Sequence, residues 1–137
     1  MKLLISLLLI IAFQQSIAQR PTRDYTKYVA QAEILYHRKD YKGSGMTYNA
    51  AFMMFGRKGF EKDRYNAACS WAMASMPDSA FSNLNRIVFS VVMYSNYDHI
   101  VNDTDLNSLH DDPRWQPMID KVKENQAKGG TLFKPAN

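Results

Sequence analysis

The residues best suited to bind a metal lie between positions 99 and 114. Asp103, Asp105 and Asn107 place oxygen atoms at the first, third and fifth positions of a calcium-binding loop. Its sixth position needs a glycine but is Ser108, and its twelfth needs a bidentate glutamate but is Arg114. We therefore interpret the aspartates as helix caps in a solvated linker and not as calcium ligands.

Histidines and further aspartates near this segment are potential zinc ligands. They are His99, His110, Asp111 and Asp112. Zinc sites on helices commonly use two histidines four residues apart, and no pair here has that spacing. The sequence therefore predicts no metal and no cofactor.

Two possible nucleophiles lack a catalytic setting. Cys69 lies in AACSWA, among small and apolar residues, where a free cysteine behaves as a small hydrophobic side chain. Ser44 lies between two glycines, but the segment is not the G-x-S-x-G turn between a strand and a helix that exposes a catalytic serine. We predict no catalytic residue, and a small metal-dependent or hydrolytic envelope enzyme with an unrecognised site remains the alternative.

Ser44 and Cys69 belong to an internal repeat with a period of 36 residues. Large apolar positions of one copy match large apolar positions of the other, and small positions match small ones. The matched pairs are Val29 with Tyr65, Ala32 with Ala68, Leu35 with Trp71, Ser44 with Ala80, Tyr48 with Leu84, Ala51 with Ile87, Phe52 with Val88 and Phe55 with Val91. Ile87, where a small residue is usual, is a departure from this pattern. Each copy has the periodicity of two amphipathic helices, so the sequence predicts an all-α fold.

Capping signals set the predicted helix bounds at residues 24–38, 41–55, 61–74 and 77–94. Asp40 is a plausible N-cap of the second helix, and the segment from Gly56 to Gly59 ends it. Ser75 to Asp78 has the pattern of a capping box with a proline in the first turn of the fourth helix.

The spacing of the small and aromatic positions resembles the tetratricopeptide repeat (TPR). The two copies, YVAQAEILYHRKDYKGSGMTYNAAF and RYNAACSWAMASMPDSAFSNLNRIV, match its packing pattern over residues 24–96. The segment SNYDHIVNDTDLNSLHDDPRWQPMIDKV resembles the closing segment of the TPR "end-of-group" family. The resemblance assigns structural roles to Ala32, Tyr41, Ser44, Tyr48, Ala51, Ala68, Trp71, Ala80, Leu84 and Trp115.

Residues 97–126 are predicted to cap the second hairpin, since two helical hairpins alone rarely close a core. An apolar stripe at i, i+3, i+4 and i+7 runs through Trp115, Met118, Ile119 and Val122. Asp112 and Pro113 are expected to start this helix, and Leu106 and Leu109 to pack beside it in a short turn. Residues 127–137 contain two glycines and a proline and are predicted to be a flexible tail.

The first 18 residues have the pattern of a secretory signal peptide. Met1-Lys2 is followed by the apolar run LLISLLLIIAF and by the small-x-small site Ser16-Ile17-Ala18. We expect cleavage before Gln19, a short linker over residues 19–23, and a periplasmic or secreted product of bacterial type. The apolar run is shorter than a membrane span, and no second apolar segment of spanning length occurs, so no span is expected in the mature chain.

The charge distribution disfavours nucleic acid as a partner. The formal net charge is only +4, although residues 19–64 hold ten Lys or Arg against five Asp or Glu. The basic positions are not interleaved with aromatic residues in a groove pattern. An anionic partner or a plain solvated surface are the two remaining interpretations of the basic half.

The TPR resemblance implies a non-catalytic interaction module that binds a protein or peptide partner, with an oligomer possible. In that family the first helix of each repeat lines a concave groove. The corresponding positions are Val29, Ala30, Glu33, Tyr36, His37, Lys62, Tyr65, Asn66, Cys69 and Met73. Lys62 and Asn66 are expected to hold a carboxylate or a backbone amide, whereas Tyr36, Cys69 and Met73 could instead simply pack between helices. A stand-alone docking scaffold for an envelope complex fits the same sequence equally well.

Overall fold

The computed structural model describes residues 22–91 and 93–132; the predicted signal peptide and residues 133–137 lie outside them. The helices are α1 (Arg23–His37), α2 (Tyr41–Met54), α3 (Glu61–Met73), α4 (Pro77–Val88), α5 (Tyr97–Asn102), a 3₁₀ helix (Thr104–Leu109) and α6 (Trp115–Leu132). The described residues contain no strand, which confirms the all-α prediction. Within those same ranges, no helix combines the length and hydrophobicity needed to cross a bilayer.

The first four helices form two packed hairpins. α1 packs on α2, α3 packs on α4, and α2 also contacts α3. Asp40 caps α2 by accepting a hydrogen bond from the Gly43 N–H at 2.9 Å. Gly56 has a φ of +63°, so the chain leaves α2 through a left-handed turn that glycine adopts at low cost. Asp40 and Gly56 therefore act as the capping signals predicted.

The connection between α3 and α4 differs from the predicted capping box. Ser75 has a φ of +58° and belongs to the turn that ends α3. The N-cap residue is Met76, which makes no side-chain capping bond, and Pro77 occupies the first turn. The start of α4 therefore depends on proline geometry and not on a serine cap.

α4 ends at Val88, six residues before the predicted bound at Tyr94. The N–H of Tyr94 donates to the Ile87 carbonyl at 2.9 Å, which closes the loop that follows α4. Met93 has a φ of +53° in this loop, a value that no helix continues through. The predicted helix was too long because apolar residues such as Phe89 and Val91 continue the sequence pattern after the helix has ended.

Of the ten predicted packing positions, nine are buried and Tyr41 is half-buried. Ser44 shows how closely the hairpins approach: its hydroxyl donates to the Ala32 carbonyl at 2.8 Å and lies 2.9 Å from the Ser70 hydroxyl. Next to it, a Cβ on Gly45 would lie 2.5 Å from the Trp71 ring. Small residues are therefore required where α2 meets α3.

The C-terminal segment covers the second hairpin. All four stripe residues of α6 are buried, as are Leu106 and Leu109 of the 3₁₀ helix. α6 contacts α4, and the 3₁₀ helix contacts α3, so the segment packs on both helices of the hairpin. The Asn125 side chain donates to the carbonyls of Val88 and Tyr94, at 2.9 and 3.0 Å.

Both ends of α6 differ from the predicted bounds. The helix begins at Trp115, after Pro113, and the Asp112 carboxylate accepts the Arg114 N–H at 2.9 Å just before it. At the other end the helix continues through Gly129 to Leu132. The first part of the predicted tail is therefore helical.

Candidate functional site

A cavity of about 280 Å³ lies where α1 and α3 face the linker that follows α5. Its lining residues are Glu33, Tyr36 and His37 from α1, Tyr48 from α2, Lys62, Tyr65, Asn66 and Cys69 from α3, His99 from α5, Asp103 from the linker and Asp105 from the 3₁₀ helix. We call this space the groove cavity. It brings together polar and aromatic side chains that are up to 72 positions apart in the chain.

Six of the seven predicted partner-binding residues line the groove cavity. They are Glu33, Tyr36, His37, Lys62, Tyr65 and Asn66. Cys69, from the wider set implied by the resemblance, also lines it, but Val29 and Ala30 do not. Met73 is 37% exposed at the end of α3 and lies outside the lining.

Asp103 forms the centre of the cavity floor. Its Oδ1 accepts the Asp105 N–H at 3.0 Å, which caps the 3₁₀ helix. Its Oδ2 accepts the Tyr65 hydroxyl at 2.9 Å and lies 3.7 Å from the Cys69 sulfur. His99 Nε2 lies 4.0 Å from the same oxygen. The cap predicted for this aspartate is therefore present, but its carboxylate also faces the groove.

Asp105 is hydrogen-bonded by the first repeat, whereas Asp103 is hydrogen-bonded by the second. Its Oδ2 accepts a short hydrogen bond from the Tyr36 hydroxyl of α1. The 3₁₀ helix of the C-terminal segment is thereby connected directly to the first hairpin. The two floor carboxylates each receive a tyrosine hydroxyl, one from each repeat.

The hydroxyls of Tyr36 and Tyr65 and the Cys69 thiol are neutral at physiological pH. Burial, followed by the hydrogen bond to Asp105, raises the pKa of Tyr36 well above its ordinary value. Burial, followed by the repulsion that the neighbouring Cys69 would exert as a thiolate, raises the pKa of Tyr65 even further. Burial, and then the charges of Asp103 and Asp105, raises the pKa of the Cys69 thiol. Because a thiolate and not a thiol is the nucleophile, this cysteine is poorly suited to covalent catalysis.

A cluster of three groups on this floor has the donor types of a metal site. The Cys69 sulfur and one oxygen each of Asp103 and Asp105 lie within 4.8 Å of one another. The thiol would have to lose its proton against a raised pKa, and tyrosine hydroxyls already occupy an oxygen of each carboxylate. The cluster is better suited to hydrogen bonding than to holding a metal.

The two histidines considered as potential zinc ligands lie in different parts of the structure. His99 stacks on Tyr65 with ring centroids 4.7 Å apart, and its Nδ1 lies 2.8 Å from the Tyr94 hydroxyl. His110 instead stacks on Trp115 at 4.4 Å. Each histidine has an aromatic packing role.

The rim of the cavity carries an exposed ion pair. Lys62 Nζ lies 3.6 Å from Glu33 Oε1, so the lysine expected to hold a ligand carboxylate has an internal partner. Such exposed pairs are easily exchanged for a ligand. Across the whole lining, three carboxylates outnumber the one lysine.

Sequence reasoning missed the lining residues that the C-terminal segment supplies. His99, Asp103 and Asp105 were considered only as metal ligands and as parts of a solvated linker. The signal that could have located them is the burial of Leu106 and Leu109, which draws the linker against α3. Comparison of the chain with protein-family models, curated proteins and solved structures finds no match. Function must therefore be argued from the cavity itself.

Proposed function

We propose that the protein is a TPR-like, non-catalytic interaction module that binds a peptide segment of a protein partner along α1 and α3. A basic side chain of that peptide enters the groove cavity. The observation that carries the proposal is the pair of floor carboxylates, Asp103 and Asp105, hydrogen-bonded by neutral tyrosine hydroxyls. The signal-peptide pattern places this module, within the same proposal, in the periplasm or outside the cell.

The size of the cavity favours one side chain of a longer ligand. Pockets for whole small molecules usually span about 300–1,000 Å³. The groove cavity, at about 280 Å³, is at the lower limit of that range. The remainder of the ligand would then lie along the exposed surface of α1 and α3, as peptides do in helical repeat proteins.

The chemistry of the cavity favours a positive charge. A cation entering it meets two partly buried carboxylates whose charge is not neutralised by the hydroxyls that contact them. The tyrosine residues of the lining, Tyr36, Tyr48 and Tyr65, add aromatic surface against which the aliphatic stem of a basic side chain can pack. Arginine or lysine satisfies both features, whereas a ligand carboxylate would oppose the charge of the floor.

The test is selection of peptides from a random display library by a chain that begins at Gln19. That chain retains every contact of the described fold. The selected peptides should be enriched in Lys and Arg, and their Kd should be measured by fluorescence anisotropy. Asp103→Asn with Asp105→Asn should weaken binding at least about tenfold, because the ligand cation would lose both opposite charges. Asparagine remains a good cap, so the fold should be retained.

Asp120→Asn is the matched control, because Asp120 is an exposed aspartate of α6 outside the cavity. It should leave the Kd unchanged. Failure to select any peptide would contradict the proposal. So would peptides whose binding is insensitive to the double substitution while circular dichroism shows an intact fold.

A further inference from the structure

The loops that follow α2 and α4 lie side by side and form a second surface, away from the groove cavity. Two adjacent depressions there share Ser90 and Val91 in their linings. Neither shares a residue with the groove cavity. We call the combined surface the loop face.

Apolar side chains project from the loop face into solvent. Val91 is 98% exposed, Phe89 is 55% exposed and Phe60 is 47% exposed. A valine at 98% exposure contributes nothing to the packing of its own fold. Such a side chain is buried only by a surrounding medium or by a partner that encloses it.

The same surface is strongly basic. The Lys and Arg residues of the two linings are Arg57, Lys58, Arg64, Arg86, Lys121 and Lys128. Neither lining includes an Asp or Glu, although Glu124 pairs with both Lys121 and Lys128. The loop face therefore has an excess of positive charge, in contrast to the groove cavity.

Arg64 gives this surface a fixed charge. The side chain is buried over the Phe52 ring, at 3.6 Å from its centroid, and it donates to the Asn83 side chain and the Arg57 carbonyl at 2.9 and 2.7 Å. Both acceptors are neutral. Burial, and then the charge of Arg86, lowers the pKa of Arg64 to about 10, so it remains charged at neutral pH.

We propose that the loop face binds the surface of an anionic lipid bilayer, with Phe89 and Val91 entering the interface and the exposed Arg57 and Arg86 contacting lipid phosphates. Aromatic and aliphatic side chains surrounded by Lys and Arg are the pattern of interfacial membrane binding. A bilayer surrounds a projecting side chain without needing a complementary pocket. A protein partner would need a concave, acidic surface to do the same, so the projecting Val91 favours the lipid.

The experiment is cosedimentation of the chain from Gln19 with vesicles. One vesicle population mixes phosphatidylglycerol with phosphatidylcholine, and the other contains phosphatidylcholine alone. Binding should require phosphatidylglycerol and should fall as salt is raised, because charge attraction at the surface is screened. Arg57→Gln with Arg86→Gln should weaken partitioning by about 30-fold, the effect expected for two cations at an anionic surface. Val91→Asp should weaken it at least about tenfold, because it removes an apolar contact and adds a repelled charge.

Matched substitutions elsewhere separate a surface effect from a change in overall charge or folding. Arg23→Gln with Lys42→Gln removes the same charge from exposed positions outside the loop face, and Met46→Asp places a carboxylate at a 57% exposed position of α2. The charge pair should change partitioning far less than the loop-face pair, and Met46→Asp less than Val91→Asp.

Three results would overturn the proposal: absence of vesicle binding at low salt, equal binding to phosphatidylcholine alone, or equal losses in the matched controls. Binding to soluble polyglutamate without binding to vesicles would also overturn it and would assign the loop face to an acidic protein.

Discussion

The two hydrophobic clusters of the molecule differ in how they are closed. The first hairpin is held by a small cluster of Tyr25, Ala32, Tyr48, Ala51, Phe52, Phe55 and Ala67. The second hairpin shares a far larger cluster with the 3₁₀ helix and α6. The first hairpin therefore depends on its contact with the second, whereas the second is covered on both sides.

Polar contacts compensate for the smaller cluster. The Tyr25 hydroxyl donates to Asp63 Oδ2 at 2.5 Å and accepts the Phe60 N–H at 3.3 Å. Ser44 and Ser70 connect α2 to α3, and Tyr36 connects α1 to Asp105. Apolar burial therefore stabilises the C-terminal half, while buried hydrogen bonds attach the N-terminal hairpin to it.

The largest effect is expected from Trp115→Ala. Trp115 is buried in the large cluster and carries the stacked ring of His110. Removing a buried tryptophan costs about 3–5 kcal/mol, a large share of the stability of a small domain. Thermal and urea unfolding of the chain from Gln19 should show this loss. If the variant unfolds at the same temperature as the parent chain, the C-terminal segment does not close the larger hydrophobic cluster.

Alkaline pH should be the next strongest perturbation. The folded-state pKa of Tyr48 is raised to about 12 by burial, and those of Tyr25, Tyr36, Tyr65 and Tyr94 are raised further, from an ordinary value of 10.0. A raised pKa means that the folded state holds its proton more tightly, so the stabilisation is complete below about pH 10 and is lost as pH rises above it. The contribution of the Cys69 thiol to this stabilisation begins to fall near pH 9.0, the ordinary pKa of a thiol.

Urea unfolding at a series of pH values from neutral to strongly alkaline measures this loss. Because these groups are distributed over both hairpins, both should be destabilised together in one transition. Tyr65→Phe should make the decline shallower, because it removes one of the titrating hydroxyls. A stability that is constant above pH 10 would contradict the assignment of these hydroxyls as buried and neutral.

A smaller loss is expected from Tyr25→Phe in the first hairpin. The substitution keeps the ring but leaves the buried Asp63 carboxylate without its tyrosine donor. An unsatisfied buried acceptor costs about 1–3 kcal/mol. Tyr28→Phe is the control, since Tyr28 is exposed on the same helix. If Tyr25→Phe unfolds like the control, polar contacts do not secure this hairpin.

These contrasts also show which features the sequence could predict. The bounds of α1, α2 and α3 agree with the prediction to within one residue, because local signals such as the Asp40 cap and the Gly56 turn determine them. The predicted end of α4 was wrong, because the sequence pattern counts Phe89 and Val91 as apolar positions but does not reveal that both are exposed to solvent. The repeat pattern located the α1 and α3 residues of the groove cavity. It could not locate Asp103 or Asp105, since their place depends on the 3₁₀ helix packing against α3.

The smallest effect is expected from truncation after Lys128. Over residues 115–129 of α6, the last buried residue is Asn125, which binds the carbonyls of Val88 and Tyr94 and remains in the shortened chain. Although α6 continues to Leu132, the removed stretch includes two glycines, which weaken a helix by about 1 kcal/mol each relative to alanine. Loss of this final turn should change the free energy of unfolding by less than about 0.5 kcal/mol. In the untruncated chain from Gln19, Asn125→Ala removes both carbonyl contacts and should cost more, about 1–3 kcal/mol of unfolding free energy. Urea unfolding that ranks the truncation above Asn125→Ala would show that the large cluster is closed by the last turn of α6 and not by its buried stripe.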